Sequence, residues 1–192
     1  MTKRVLTLLI AIGASLALLG SAKAASAPVE PYSSYQPQTK CSPTAKPGAK
    51  ALAKWVVASY SGHQGRIGGP CAGGSVSEHK EGRAFDWTLN SKSATDRARA
   101  SRFLTRIWAT DSAGERHALA RRMGVMYIIW SDRIYSSYNG FNARVYRSSS
   151  CKNKPLSKCS MTLRHRDHVH ISLNRNGGAG RTSFYVGKVP AN

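Results

Sequence analysis

Apolar and polar positions alternate along this chain in stretches of clearly different period. Behind Pro47, whose fixed φ suits the first turn of a helix, Leu52, Trp55, Val56 and Ser59 fall on one helical face. A second helix is expected from about Ala94 to Ala109, burying Phe103, Leu104, Ile107 and Trp108. A third, from about Gly114 to Met123, presents Ala118, Leu119 and Arg122 at helical spacing and ends near Gly124. The run Val125-Met126-Tyr127-Ile128-Ile129-Trp130 is almost unbroken and reads as a central strand buried on both faces. Arg133-Ile134-Tyr135 are expected to continue it toward an edge. Residues 83–89 are rich in strand formers and suit a buried strand carrying Asp86. In a last strand, His168 and His170 share one face while Val169 points away into a core. The chain reads as a mixed α and β domain, with Trp87 and Trp130 as core residues.

The segments between are of several kinds. Residues 1–24 read as a signal peptide: Lys3 and Arg4 start it, Val5 to Gly20 is apolar, and Ala22-Lys23-Ala24 offers a cleavage site. No Cys directly follows Leu19-Gly20-Ser21-Ala22, which disfavours a lipid anchor, and no membrane association is expected after cleavage. Residues 25–40 look like a flexible leader, 41–175 like the folded domain, and 176–192 like a flexible tail. Gly62 to Ser77 is a long glycine-rich loop, and its length suggests function rather than simple connection. Residues 136–160 are expected as a polar loop. There is no internal repeat.

Four cysteines permit three pairings. Cys41 with Cys71 and Cys151 with Cys159 are preferred, because each pair brackets one contiguous segment. No Cys-x-x-Cys pair suggests a four-cysteine metal site, so disulfides and an oxidising compartment are the expectation. The protein is then secreted, either extracellular or wall-associated.

The chain carries a net charge of +20, and losing Lys3, Arg4 and Lys23 with the signal peptide would leave +17. Such an excess attracts polyanions, of which an exported bacterial protein meets the anionic wall polymers first. Phosphate attraction alone does not exclude nucleic acid, but no recognition-helix pattern or stacking-aromatic cluster supports specific binding to it.

Candidate chemistry is concentrated in Ser77-Glu78-His79-Lys80-Glu81-Gly82-Arg83-Ala84-Phe85-Asp86 and in Arg166-Asp167-His168-Val169-His170. His79, Asp86 and His170 supply two imidazoles and a carboxylate, which suits a catalytic zinc with one position left open. His79 and Asp86 are an odd number of residues apart, so a straight strand would aim them oppositely. A bend at Gly82, where positive φ is tolerated, brings them together. The set fits a magnesium nuclease poorly, since magnesium prefers oxygen ligands. His63, His117 and His165 remain unassigned.

The pattern His-x-x-Gly-x-Ala-x-Asp with a distant His-x-His resembles the zinc metallopeptidases of the D-alanyl-D-alanine carboxypeptidase and L-alanyl-D-glutamate peptidase kind. Their fold is shared with the hedgehog signalling domain. The resemblance covers roughly residues 41–173 and is closest to secreted actinobacterial members. It implies an α+β fold, a small antiparallel sheet packed on helices with the zinc site on the sheet. It assigns zinc to His79, Asp86 and His170, and the general base to Asp167. Asp167 has an alternative role, orienting His168. His168 would lie beside the metal and assist the transition state. Relatives often carry a substrate-binding arginine in a Tyr-Arg pair; here Arg66, in a loop, is the candidate. The implied function is hydrolysis of a peptide bond in peptidoglycan stem or cross-link peptides, by a carboxypeptidase or an endopeptidase. The alternative is an inactive zinc-stabilised wall-binding module.

Overall fold

The structure, a computed structural model, describes residues 28–73 and 75–190. The expected signal segment lies outside the described residues. The helices are α1 (Pro47–Tyr60), α2 (Ala94–Trp108), α3 (Ala118–Arg122) and α4 (Arg175–Ala179). The strands are β1 (His63–Gln64), β2 (Ala84–Thr88), β3 (Val125–Trp130), β4 (Arg133–Ser136), β5 (Ala143–Val145) and β6 (His168–Leu173). They form one sheet in the order β1-β2-β6-β3-β4-β5, every pair antiparallel. The expected α+β class and antiparallel sheet are therefore found.

Register divides the sheet into two faces. Asp86 lies opposite His170 and Thr88 opposite His168, while Phe85 faces Ile171 and Trp87 faces Val169. Directly opposed residues share a face. The apolar set therefore lies on one side, where it joins Leu52, Ala53 and Val56 of α1 and Phe103, Leu104 and Ile107 of α2 in the core. The Trp87 ring meets Phe103 edge-on at 5.6 Å. The polar set lies on the other side, across the sheet from these helices.

Both long helices begin as the sequence predicts: Pro47 opens α1, and the Ser93 side chain accepts the Asp96 N–H at 3.3 Å to cap α2. In α1 the buried face is Ala49, Leu52, Ala53, Val56 and Tyr60, with Trp55 at its margin and Ser59 exposed. Helix α3 is shorter than expected. The Asp111 carboxylate takes the N–H groups of Ala113 and Glu115 at 2.9 and 3.0 Å, holding that stretch in a turn.

Residues 133–135 do not extend β3. Ser131 and Asp132 have φ of 48° and 64°, the left-handed pair a two-residue hairpin needs, and the chain returns antiparallel as β4. Asp132 tolerates this because Arg164 and Arg166 grip its carboxylate. The expected polar loop 136–160 contains β5 and three short 3-10 turns.

The two segments expected to be flexible are packed instead. In the leader, the Ser33 N–H donates to Ser137 Oγ at 2.8 Å and the Thr39 N–H to Glu81 Oε1 at 3.0 Å. In the tail, Phe184 and Tyr185 enter the core, and the Tyr185 hydroxyl donates to the Met123 carbonyl at 3.1 Å. The tail reaches α1 because Gly48 has no side chain: a Cβ there would lie 1.9 Å from the Gly177 oxygen. Neither contact leaves a local signal, since each partner is distant in sequence.

Cys41 pairs with Cys71 and Cys151 with Cys159, as expected, and this usage fits an oxidising compartment. No helix among the described residues is long and apolar enough to cross a membrane. The first bridge spans 30 residues and the second 8, so loop-closure entropy makes the first the more stabilising. Replacing Cys41 and Cys71 by Ser should cost about 3–4 kcal/mol in urea unfolding, and replacing the other pair about 2–3 kcal/mol. The reverse order would show that strain or residual structure governs the difference.

Candidate metal centre

The bend before β2 is built by a single 3-10 turn, Glu78–Glu81, closed by Gly82 at φ 66°. A Cβ at Gly82 would meet the Thr44 oxygen at 2.0 Å, so both the dihedral and the space demand glycine. Two buried ion pairs brace this turn: Arg83 Nε donates to Glu81 Oε2 at 2.7 Å, and Arg83 lies 3.8 Å from Glu78 Oε1. The turn delivers His79 to the open face of the sheet, beside Asp86 on β2 and His170 on β6.

The three side chains converge. His79 Nε2 lies 3.1 Å from Asp86 Oδ1 and 3.2 Å from His170 Nδ1, and His170 Nδ1 lies 3.2 Å from Asp86 Oδ1. The tautomer of His79 follows from its other nitrogen. Nδ1 sits 2.8 Å from the Ile67 carbonyl, which can only accept, so Nδ1 carries the proton. In the neutral ring Nε2 is then a lone pair aimed at a carboxylate oxygen. Two acceptors at 3.1 Å repel each other unless a cation or a proton lies between them. This buried His-Asp-His set can hold a metal ion.

Neighbouring groups support these three side chains. The Tyr127 ring stacks on His170 at 5.6 Å, and its hydroxyl donates to Glu78 Oε2, which also accepts from Ser172 at 3.1 Å. His168 Nδ1 is 2.7 Å from Asp167 Oδ1, and His168 Nε2 approaches Asp86 Oδ1 at 3.7 Å. Thr162 donates its hydroxyl to the other oxygen of Asp167. The 164–168 segment is held by Asp132, which accepts from Arg164 at 2.8 and 3.0 Å and from Arg166 at 2.8 Å. Arg66 stands at the rim, 57% exposed, with Nε 3.8 Å from Asp86 Oδ2. The cleft above the cluster measures about 340 Å³, and its lining includes Arg66, Ser75 to Ser77, Tyr146 and Ser148 to Ser150.

The structure thus brings His79, Asp86 and His170 together, with His168 and Asp167 adjacent and Arg66 at the edge. Sequence reasoning missed Glu78, Tyr127 and His165. The His165 ring packs 4.7 Å from His168 and 4.9 Å from Tyr146, and its Nδ1 is buried with no hydrogen-bond partner. Its place in an Arg-His-Arg-Asp-His run was a signal, but two of these residues, Arg164 and Arg166, serve to fasten the segment. His63 lies on the exposed edge strand β1, and His117 meets the Tyr32 hydroxyl at 2.8 Å away from the cluster.

The local electrostatics follow from burial and from this crowding. Burial alone would raise the Asp86 carboxyl, but the His170 and His79 imidazoles against it hold it far below the usual carboxylate range. Burial pushes His170 down, against the pull of Asp86. His165 is pushed down to about 3, by burial first and then by His170 and His168. Asp167 is lowered, because Thr162 and His168 outweigh the opposing effect of burial.

A stability profile follows from these shifts. In the fold His165 stays neutral down to about pH 3, whereas in the unfolded chain it protonates near its ordinary 6.5. The unfolded chain binds more protons in that window, so metal-free protein should lose up to about 1.4 kcal/mol per pH unit as acid is added. His170, also depressed, acts in the same direction. Below the ordinary 3.8 of a carboxyl group, the depressed Asp86 adds its own loss. Thermal unfolding of chelator-treated protein between pH 7 and 4 should show a falling midpoint; a flat profile would contradict the burial of neutral imidazole.

Fold and cluster together define an α+β protein with a candidate metal centre on the open face of an antiparallel sheet. The chain belongs to the VldE C-terminal domain family, whose family model matches residues 41–154. That span includes His79 and Asp86 and ends before Asp167, His168 and His170. No curated protein and no solved structure matches the chain.

Proposed function

We propose that this protein is an exported zinc peptidase that hydrolyses a peptide bond in peptidoglycan stem or cross-link peptides. The observation that carries the reading is the triangle of donor atoms with edges of 3.1, 3.2 and 3.2 Å. Tetrahedral zinc with bonds of ~2.0–2.2 Å separates its donor atoms by ~3.3–3.6 Å, so small adjustments of the side chains would seat it. Two imidazoles and one carboxylate are also the donor types of a catalytic zinc site, which leaves one position open. The resemblance of the His-x-x-Gly-x-Ala-x-Asp and His-x-His pattern to D-alanyl-D-alanine carboxypeptidases supports the substrate class.

Zinc held by His79, Asp86 and His170 supplies Lewis acidity, making water a stronger acid and polarising a carbonyl oxygen. The chain's own residues move the proton. Asp167 and His168 form a pair in which the carboxylate accepts from Nδ1–H and leaves Nε2 facing the cluster. The pair takes the proton from water and returns it to the leaving amine, with either Asp167 or His168 Nε2 as the immediate acceptor. Arg66 at the rim is placed to meet a substrate carboxylate.

The test combines metal analysis with digestion. Purified protein should carry one zinc per chain and release new amino groups from peptidoglycan, with fragment masses naming the bond. Protein that binds zinc but cleaves no wall peptide would instead be a zinc-stabilised binding module.

A further inference from the structure

We infer that His165 is a substrate-binding residue of the cleft, whose Nε2–H donates to a peptide carbonyl oxygen beside the scissile bond. The His165 ring lines the cleft together with His168 and His170. It stands 4.7 Å from the His168 ring and 5.6 Å from the His170 ring, and meets the Tyr146 ring edge-on at 4.9 Å. Its nitrogens fasten nothing in the fold. Neither makes a hydrogen bond among the described residues, and Nδ1 is enclosed.

The enclosed nitrogen sets the tautomer. Burial favours the neutral ring, which carries one N–H and one lone pair. A buried N–H without an acceptor is the rarer defect in folded proteins, so Nδ1 holds the lone pair and Nε2 the hydrogen. The ring as a whole is only partly buried, which leaves Nε2 on the open side. That donor is fixed in advance. His165 has φ 49°, its carbonyl accepts the Ser131 N–H at 2.7 Å, and its own N–H donates to the Thr162 carbonyl at 3.0 Å. On either side of it, Arg164 and Arg166 are bound to Asp132. A donor already held in place loses little freedom when a ligand arrives.

The nature of the ligand rests on the proposed peptidase reading, and position decides which of its oxygens is met. The ring lies a ring's breadth beyond the triangle of His79, Asp86 and His170. One residue of an extended peptide spans ~3.3–3.6 Å. A peptide with its scissile carbonyl at the triangle therefore brings the carbonyl of the next residue, rather than the scissile one, toward Nε2. A neutral N–H suits that uncharged oxygen and leaves a substrate carboxylate to Arg66. A purely structural part, filling the space between Tyr146 and His168, would need only an aromatic ring and no nitrogen.

The experiment titrates a stem-pentapeptide mimic into zinc-loaded protein carrying Asp167→Ala, which should cut too slowly to disturb binding. Adding His165→Phe keeps a ring for Tyr146 and His168 and removes the donor, so binding should weaken ~3–10-fold, the worth of one neutral hydrogen bond. His165→Gln, whose amide nitrogen reaches the place of Nε2, should restore most of it. The Phe variant should unfold at a temperature no lower than the parent, because it deletes an orphaned buried nitrogen. In the otherwise unaltered chain, His165→Phe should raise KM with kcat little changed. A loss of kcat at constant KM would overturn the placement beside the scissile bond, and unchanged binding would make His165 a structural ring only. Long-range proton–nitrogen NMR of the parent reads the tautomer independently of activity: Nε2–H is expected, and Nδ1–H would overturn the donor. Mimic bound through His165 but never cleaved by the unaltered chain refutes the peptidase and leaves this residue's role standing. Cleavage that His165→Phe leaves untouched, in KM as in kcat, does the reverse. A parent that neither binds nor cleaves the mimic removes both.

Discussion

Asp167→Ala should keep the metal and the fold yet lose turnover by ~10²–10⁴-fold, the usual contribution of a positioned proton acceptor. Asp167 is outside the His-Asp-His triangle, and its oxygens are engaged by His168 and Thr162 instead. Removing it therefore leaves the three donor atoms in place while freeing the His168 ring to turn. The loss should appear in kcat with KM little changed, because substrate binding does not need the acceptor. His168→Ala should lose a comparable amount, and the double variant little more than either single one, since residues that act as a unit are not additive. Asp167→Glu should retain part of the activity. Amino-group release from a stem-peptide mimic, with zinc measured in parallel, reads all four. Full activity in Asp167→Ala would reduce that carboxylate to a fastening for the 160s segment.

His170→Ala should strip zinc and abolish turnover together. His170 is buried, stacked on Tyr127 and set directly opposite Asp86. Its loss leaves two donors facing each other with one side of the triangle gone. Metal content per chain should fall from near one to near zero after dialysis, and the activity with it. A variant that kept full zinc would exclude His170 from the ligand set and shift attention to His168, whose Nε2 is the next nitrogen at 3.7 Å from Asp86.

Much of this site is legible in the sequence because its parts follow local rules. The alternation at His168-Val169-His170 placed both imidazoles on one face and the apolar residue in the core, as found. Gly82 was the one residue able to turn the chain between His79 and Asp86, and it does so in the left-handed region. Errors arose where distant residues overrule local character. The Ser131-Asp132 hairpin has no glycine or asparagine to announce it, because the clamp from Arg164 and Arg166 sustains its backbone. The leader and tail have the composition of loose chain, yet Glu81 fastens one and the close approach of Gly48 to Gly177 admits the other. Glu78 and Tyr127 were invisible as a pair, since a carboxylate inside a 3-10 turn and a ring inside a buried strand meet only after folding.

The hydrogen bond from His79 to the Ile67 carbonyl ties the candidate metal site to the protein's covalent history. Ile67 belongs to the segment that the Cys41–Cys71 bridge closes, so the group that sets the His79 tautomer is secured by a bond made only under oxidation. Reducing that bridge should therefore loosen the His79 ring and weaken the hold of the three side chains on a metal ion, which metal titration of the oxidised and the reduced protein would read.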